Sequence, residues 1–218
     1  MRYKCLVLDH DETVVQTEKT IGYPFFCKFL KRVRPEITLT LSEYVKDCHE
    51  LGFLDMCRQR YHFTEEELEE EHSTWAEYLR THVPSIFDGI EQIIRRQKAE
   101  GGLICVVSHS NKETILRDYR YHFGIEPDAI FGWDLPEHLR KPAPYPLQEI
   151  MKQYNLTNQD LFVVDDAKLA WQMAKPLQVK IGYAAWGKKE FPALDQEMRM
   201  LCDYTFDSTK LLENFLFD

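Results

Sequence analysis

Features that are absent from this sequence exclude several classes of protein. None of the six cysteines forms a Cys-x-x-Cys pair, and their scattered spacing indicates neither a zinc site nor a disulfide framework. No apolar stretch is long enough to cross a membrane, and there is no internal repeat or low-complexity tract. The four residues before the first apolar run are too few for a signal peptide. We therefore expect a soluble, cytoplasmic protein with reduced thiols.

The chain also lacks an excess of positive charge. Its net charge is −9, and an acidic surface repels a phosphate backbone, so nucleic acid is not expected as a partner. A small anionic substrate is still compatible with this negative net charge if a local cation offsets it at the binding site. The length of 218 residues allows one domain, or one domain with an insert, and a full hydrophobic core.

Short apolar runs alternate with segments of helical periodicity over most of the chain. Alternation of this kind predicts a parallel sheet covered by helices on both faces, which is a three-layer α/β/α core of the Rossmann-like class. Peripheral helices are predicted at residues 191–201 and 211–217. Strands are predicted at residues 5–8, 103–107, 129–131, 161–164 and 179–184, with a short edge strand at residues 204–206.

Residues 15–83 differ from the rest, because their pattern is helical and contains no convincing strand. Thr40 to Glu43 and Thr64 to Glu67 have the spacing of capping boxes, and Gly52 separates two helices. We interpret the acidic run at residues 65–71 as a solvated helix face. The predicted domains are an α/β core of residues 1–14 and 84–218 and a helical domain of residues 15–83.

Polar side chains follow three of the predicted strands. Asp9 and Asp11 come after the first strand, Ser108 after the second, and Asp165 with Asp166 after the fourth. Each has a purely structural explanation, since aspartate and serine are common in turns and at helix N-termini. Their convergence at the carboxyl edge of one parallel sheet, where such sheets bind ligands, favours a functional site.

The residue types suit one kind of chemistry. Four carboxylates at one edge suit a hard cation with oxygen ligands, most naturally Mg²⁺. Lys141 supplies a compact positive charge, and Ser108 with nearby backbone amides can donate hydrogen bonds to a phosphoryl oxygen. Together these groups are sufficient for phosphoryl transfer.

Four short sequences in this chain also resemble a known family. They are DHDET at residues 9–13, VVS at 106–108, KPAP at 141–144 and VVDD at 163–166. In this order and spacing they resemble the four motifs of the haloacid dehalogenase superfamily, in its phosphatase and β-phosphoglucomutase-like branch with a helical cap. The resemblance spans about residues 3–187.

The resemblance implies a role for each acid. Asp9 would attack phosphorus and form an aspartyl-phosphate, and Asp11 would protonate the leaving oxygen and then activate water. Mg²⁺ would be held by the Asp9 carboxylate, the Asp11 backbone carbonyl and Asp166, with Asp165 a direct or water-mediated ligand. Residues 15–83 would form the cap that closes over the site and keeps bulk water out.

Four residues are expected to bind the phosphoryl group: His10, Ser108, His109 and Lys141. For the two histidines the backbone amide is the predicted donor. The His10 imidazole is expected to pack or to face the cap, and the His109 imidazole is expected to have no role.

Three residues depart from the family pattern. Glu12 replaces a glycine, Ala167 a common serine, and Ala170 a frequent second acid. Glu12 is expected to alter the following segment or to face the substrate. Metal binding would then depend more on the acids at residues 165 and 166.

The main hypothesis is a Mg²⁺-dependent phosphatase that hydrolyses a small phosphorylated metabolite, acting as a monomer or weak homodimer without membrane or nucleic-acid partners. One alternative is a phosphomutase of the β-phosphoglucomutase type, because the first chemical step is the same. An alternative of a different class is a non-catalytic protein that binds a phospholigand or a protein partner on the same scaffold.

Overall fold

The computed structural model describes residues 1–51, 53–187 and 192–218. The chain divides into two compact units, one of Met1–Val15 with Ile86–Asp218 and one of Gln16–Ser85. The predicted helix break at Gly52 and the predicted helix start at Phe191 lie outside the described residues.

The first unit contains a six-stranded sheet in which every neighbouring pair is parallel. The spatial order is β3-β2-β1-β4-β5-β6. This confirms the predicted fold class. The strands are β1 (Cys5–Leu8), β2 (Leu103–Val107), β3 (Ala129–Phe131), β4 (Leu161–Asp165), β5 (Lys180–Ala184) and β6 (Tyr204–Phe206).

Helices make up the rest of the regular structure in the described residues. The helical unit contains α1 (Tyr23–Val33), α2 (Leu41–Leu51), α3 (Phe53–Asp55) and α4 (Glu65–Thr81), with π-helical turns at Glu18–Gly22 and Met56–Arg60. The sheet unit contains α5 (Ile90–Ala99), α6 (Lys112–Phe123), α7 (Tyr145–Tyr154), α8 (Lys168–Ala174), α9 (Pro192–Leu201) and α10 (Thr209–Phe217). None of the helices in these ranges is apolar enough, over a sufficient length, to cross a membrane.

The alternating side chains of the central strand explain the three layers. Leu6 and Leu8 of β1 lie in a core with buried residues of α5, α6 and α10. Cys5 and Val7 point to the other face and lie in a core with residues of α7 and α8. Burial of each large aliphatic side chain stabilises the fold by about 1.5–3 kcal/mol, so both faces of β1 must be covered.

The helical unit has its own aromatic core. The ring of Phe26 lies 5.3–6.0 Å from the rings of Tyr44, Tyr61 and Phe63, and all four side chains are buried. This is the geometry expected for favourable aromatic pairs.

Both predicted capping boxes form. At α4, Glu67 N donates to Thr64 Oγ1 and Thr64 N donates to the Glu67 carboxylate. At α2, Thr40 and Glu43 exchange the same pair of bonds. These bonds satisfy backbone donors that a helix leaves unpaired at its N-terminus.

The expectation of a solvated acidic face at residues 65–71 is wrong at one position. Glu71 is only 5% exposed, and it has no hydrogen-bond partner among the described residues. Burial raises its pKa to about 7. The run of acids concealed this position because Glu71 lies three residues after Leu68, on the buried side of α4.

The strand order places a switch point next to β1. The chain adds β2 and β3 on one side of β1 and then continues with β4 on the other side. In open parallel sheets the crevice at such a reversal, beyond the carboxyl ends of the strands, is where ligands bind. A ligand-binding site is therefore expected among the residues that follow β1 and those at the end of β4.

Candidate active site

Three carboxylates meet at this switch point. Asp9 follows β1 directly, and its N–H donates to Val164 O at 2.9 Å, which continues the ladder to β4. Asp165 is the last residue of β4, one residue beyond the predicted strand end, and Asp166 follows it. One carboxylate oxygen from each of the three acids lies within 4.8 Å of the others. The three acids are 6%, 1% and 8% exposed, so this charge cluster is buried.

Lys141 links two of the three acids. Its Nζ donates to Asp9 Oδ1 and to Asp165 Oδ2, both at 2.8 Å. The other oxygen of Asp165, Oδ1, accepts from Ala167 N at 2.8 Å. Both oxygens of Asp165 are thus hydrogen-bonded within the protein, and its carboxylate orients the lysine.

The pKa shifts of Asp9, Asp165 and Lys141 indicate an excess of buried negative charge. Burial raises the pKa of Asp9 well above its usual range, the charge of Asp165 raises it further, and Lys141 opposes both. Burial raises the pKa of Asp165 to about 6 despite the nearby lysine. Burial alone would lower the pKa of Lys141, but the charges of Asp165 and Asp9 raise it above its usual value. One ammonium group does not balance three buried carboxylates.

Asp11 is held by the segment that follows β2. Its Oδ2 accepts from Ser110 Oγ at 2.6 Å and lies 3.3 Å from the donating Ser108 Oγ. The turn between Asp9 and Val15 is fixed by the His10 carbonyl, which accepts from Val14 N at 2.9 Å and from Val15 N at 3.0 Å. The structure therefore brings the acid after β1 and the hydroxyl after β2 into contact.

The two histidines that flank these residues point elsewhere. The His10 imidazole is 1% exposed, and its Nε2 lies 3.1 Å from Asp118 Oδ2 on α6. The exposed His109 places its Nε2 3.1 Å from the backbone oxygen of Lys141, with its ring edge against Trp133. Neither imidazole contacts the three clustered carboxylates through these bonds.

The three departures from the family pattern have local structural explanations. Glu12 has φ +57°, a left-handed conformation that glycine adopts without strain, which explains why a glycine fits this position. Ala167 occupies the N-cap position of α8 and has no side-chain hydrogen bond to offer. Ala170 is fully buried against the sheet, so an acid there would lie in the apolar core.

Neither Ser110 nor Asp118 has a role that the sequence motifs predict. Ser110 belongs to the polar run that follows β2, and its spacing of two from Ser108 was an available signal. Asp118 lies on the core face of α6, and no pattern in the sequence indicates a buried acid there. The side chain of Asn111, the predicted N-cap, makes no capping bond; Asp134 Oδ2 instead accepts from Lys112 N at 2.6 Å.

Solved structures share this fold over nearly the whole chain. A Haemophilus somnus protein described as a predicted phosphoglycolate phosphatase has a TM-score of 0.73 at 16% identity, covering 99% of this chain and 98% of its own. A subfamily IA hydrolase of the haloacid dehalogenase superfamily from Geobacter sulfurreducens has a TM-score of 0.71 at 12% identity, covering 99% and 97%. CbbY from Rhodobacter sphaeroides, crystallised with phosphate, has a TM-score of 0.69 at 15% identity, covering 96% of each chain.

At these identities structural similarity establishes the fold alone. A search of curated protein sequences gives no significant match. The family model described as haloacid dehalogenase-like hydrolase matches residues 6–184, which include all four motifs and most of the chain. The chain therefore belongs to the haloacid dehalogenase-like hydrolase family.

Proposed function

We propose that this hydrolase is a Mg²⁺-dependent phosphatase, which acts on a small phosphorylated metabolite through an aspartyl-phosphate at Asp9. The observation that carries the proposal is the buried cluster of Asp9, Asp165 and Asp166, in which Lys141 bonds to Asp9 and Asp165. Burying three acids together, with a single lysine bonded to two of them, leaves unbalanced charge and is costly, so a structural role alone does not account for the cluster.

The donor set fits a divalent metal ion. Hard cations such as Mg²⁺ prefer oxygen ligands, and this cluster offers carboxylates with more negative charge than Lys141 balances. Asp9 and Asp166 are the proposed carboxylate ligands, together with the backbone carbonyl of Asp11. Asp165 is a less direct candidate, since both of its oxygens are already hydrogen-bonded. A bound Mg²⁺ would neutralise charge on the phosphoryl group and favour the ionised form of Asp9.

Asp9 is the proposed nucleophile. Its carboxylate follows β1 in the crevice of the sheet, and the Lys141 ammonium 2.8 Å away fixes one of its oxygens. In the first step an Asp9 oxygen would bond to phosphorus while the bond between phosphorus and the leaving oxygen breaks. Covalent catalysis of this kind replaces one difficult displacement by two easier ones.

Asp11 is the proposed acid and base. It would give its proton to the leaving oxygen in the first step and take a proton from water in the second. Ser108 Oγ, 3.3 Å from Asp11, is the proposed side-chain donor to a phosphoryl oxygen, with the backbone amides of His10 and His109. The Lys141 charge completes the binding of the anionic group.

Phosphate monoesters of small metabolites are the proposed substrate class. One neighbouring structure is described as a predicted phosphoglycolate phosphatase and another as CbbY in complex with xylulose 1,5-bisphosphate, and both descriptions name a small phosphorylated compound. The net charge of −9 favours a compact substrate that reaches a local cation over a large polyanion. Residues 16–85 are proposed to act as the cap.

A phosphate-release assay tests this function. Wild-type protein is incubated with 4-nitrophenyl phosphate and a panel of phosphorylated metabolites, with MgCl₂ or with EDTA, and free phosphate is measured. We expect release that requires Mg²⁺ and that falls by at least about 1000-fold in Asp9→Asn, because the amide is a poor nucleophile. Asp55→Asn, which alters an exposed acid on α3, is the matched control and should leave the rate unchanged.

Three outcomes would contradict the proposal: no phosphate release by wild type, release that EDTA does not reduce, or equal rates for wild type and Asp9→Asn. An isomerised sugar phosphate without free phosphate would instead support the phosphomutase alternative.

A further inference from the structure

The carboxylate of Asp11 is held from one side by two serines. Ser110 Oγ donates to Asp11 Oδ2 at 2.6 Å, and Ser108 Oγ donates to the same oxygen at 3.3 Å. Ser108 Oγ in turn accepts from Ser110 N at 3.0 Å. The shorter bond to Asp11 thus comes from Ser110, which lies outside the four family motifs.

The two serines are not equivalent once a phosphoryl group is bound. A hydroxyl group has a single proton to donate, so Ser108 must give up its bond to Asp11 when it donates to a phosphoryl oxygen. Ser110 has no such competing role in the proposed mechanism. Of the two serine bonds, the one from Ser110 is therefore the one that persists during the reaction.

The position of Ser110 is fixed by the segment after β3. Trp133 N donates to the backbone oxygen of Ser110 at 2.9 Å. Gly132 permits this approach, because a Cβ atom there would lie 2.6 Å from that oxygen. The Ser110 hydroxyl is thus presented from backbone that is held on a neighbouring strand end, which is the kind of support that keeps a functional group in place.

We propose that Ser110 is a positioning residue, which orients the Asp11 carboxyl group for proton transfer to the leaving oxygen. The inference rests on the proposed function, in which Asp11 is the acid. Because Oδ2 accepts the serine proton, the proton that Asp11 transfers is carried on Oδ1. As the bond between Asp9 and phosphorus forms, this proton passes to the leaving oxygen, which departs as a neutral alcohol or phenol.

This role predicts that the need for Ser110 depends on the leaving group. An alcohol or a weakly acidic phenol requires protonation as it departs, whereas a strongly acidic phenol departs without help. A residue that acts only through folding would change both rates equally. The dependence on the leaving group therefore separates positioning of Asp11 from general stability.

The test is a series of aryl phosphates that differ in the acidity of the leaving phenol, from phenyl to 2,4-dinitrophenyl phosphate. The quantity measured is kcat/KM, which includes no step after departure of the phenol. For Ser110→Ala we expect a fall of about 10- to 100-fold with phenyl phosphate and less than about threefold with the dinitrophenyl ester. Asp11→Asn should show the same selectivity with a larger loss.

Three further variants sharpen the result. Ser110→Cys has nearly the same shape but a much weaker donor, so it should lose activity selectively as well. Ser110→Thr keeps the hydroxyl and should restore the phenyl phosphate rate. Ser73→Ala removes an exposed hydroxyl on α4 and is the control that should change neither rate.

The two proposals fail in different ways. Wild-type protein that hydrolyses no ester in the presence of Mg²⁺ would end both. Wild-type hydrolysis combined with an equal loss on all esters in Ser110→Ala, or with no loss on phenyl phosphate, would overturn the role of Ser110 and leave the phosphatase proposal standing.

Discussion

The backbone of Gly187 lies directly against the carbonyl of Glu12. A Cβ atom at Gly187 would be 2.1 Å from the Glu12 oxygen, far inside van der Waals contact. The preceding residue, Trp186, donates its indole N–H to Thr13 O at 3.1 Å. The segment after β5 thus supports the turn that carries Asp9 and Asp11, and this support depends on the absence of a side chain at residue 187.

Substitution of Gly187 should disturb this turn. In Gly187→Ala the new methyl group forces the two segments apart, so we expect phosphatase kcat to fall by about tenfold or more, since small displacements of reacting groups are costly. Gly124→Ala is the control, because a Cβ atom there meets no neighbouring atom and only the positive φ at the end of α6 strains the backbone. That variant should lose stability and keep its kcat; equal kcat values for the two variants would contradict the prediction.

The left-handed conformation of Glu12 makes a second prediction. Alanine and glycine at residue 12 both remove the side chain, but alanine is strained at φ +57° and glycine is not. We expect Glu12→Gly to be more stable than Glu12→Ala by about 1 kcal/mol, measured as the free energy of unfolding in urea. An alanine variant as stable as the glycine variant would contradict the observed backbone conformation.

Glu71 should make the stability depend on pH. Burial raises its pKa from 4.5 to about 7, so between these pH values the folded protein holds a proton that the unfolded chain has released. The free energy of unfolding therefore decreases as the pH rises through this window. Glu71→Gln removes the effect and should stabilise the protein at pH 8 by about 3 kcal/mol, with no gain below pH 4.5.

The measurement is the free energy of unfolding in urea, for wild type and for Glu71→Gln, at several pH values. Glu69→Gln is the matched control on the same helix, because Glu69 is exposed, and it should shift stability by less than about 0.5 kcal/mol at every pH. A Glu71→Gln variant with a gain that is independent of pH would show that proton binding is not the cause.

His10 and Asp118 form a buried pair that connects the turn after β1 to α6. Both side chains are 1% exposed, and Asp118 Oδ1 is also bound by Arg117 at 2.7 Å. Removal of one partner leaves the other buried without its bond, so Asp118→Ala should cost about 3 kcal/mol. In a double-mutant cycle, His10→Ala combined with Asp118→Ala should cost less than the sum of the single changes; strict additivity would contradict a direct interaction.

Most of the fold could be predicted from the sequence, because the patterns that indicate strands and helix starts are local. Short apolar runs marked all six strands, and the Thr64–Glu67 spacing marked the start of α4. The clustering of Asp9, Asp165 and Asp166 also followed, since parallel strands bring their carboxyl ends to one edge.

Other features could not be predicted, because they depend on side-chain direction and tertiary contact. The inward turn of His10 toward Asp118 and the bond from Ser110 to Asp11 join residues about one hundred positions apart. The burial of Glu71 was hidden in a run of exposed glutamates. The positive φ of Glu12 is unusual for its residue type, and only the departure from the family glycine hinted at it.

The two acids at the end of β4 should behave differently. Asp166 is a proposed metal ligand, so Asp166→Asn should raise the Mg²⁺ concentration for half-maximal activity by at least about tenfold. Asp165 binds Lys141 and Ala167 N, so Asp165→Asn should lower kcat with a smaller change in the Mg²⁺ requirement. Activity measured against Mg²⁺ concentration for both variants tests these roles. A larger rise in the Mg²⁺ requirement for Asp165→Asn than for Asp166→Asn would contradict the assignment of Asp166 as the metal ligand.

Asp9 is predicted to become phosphorylated during turnover, and the phosphatase mechanism depends on this step. The most direct measurement is mass spectrometry of protein quenched with acid while it hydrolyses 2,4-dinitrophenyl phosphate with Mg²⁺. We predict that the peptide containing Asp9 carries one phosphoryl group, which hydroxylamine removes and which is absent in Asp9→Asn. Continued phosphate release with no label on this peptide, or with the label on another residue, would contradict the account.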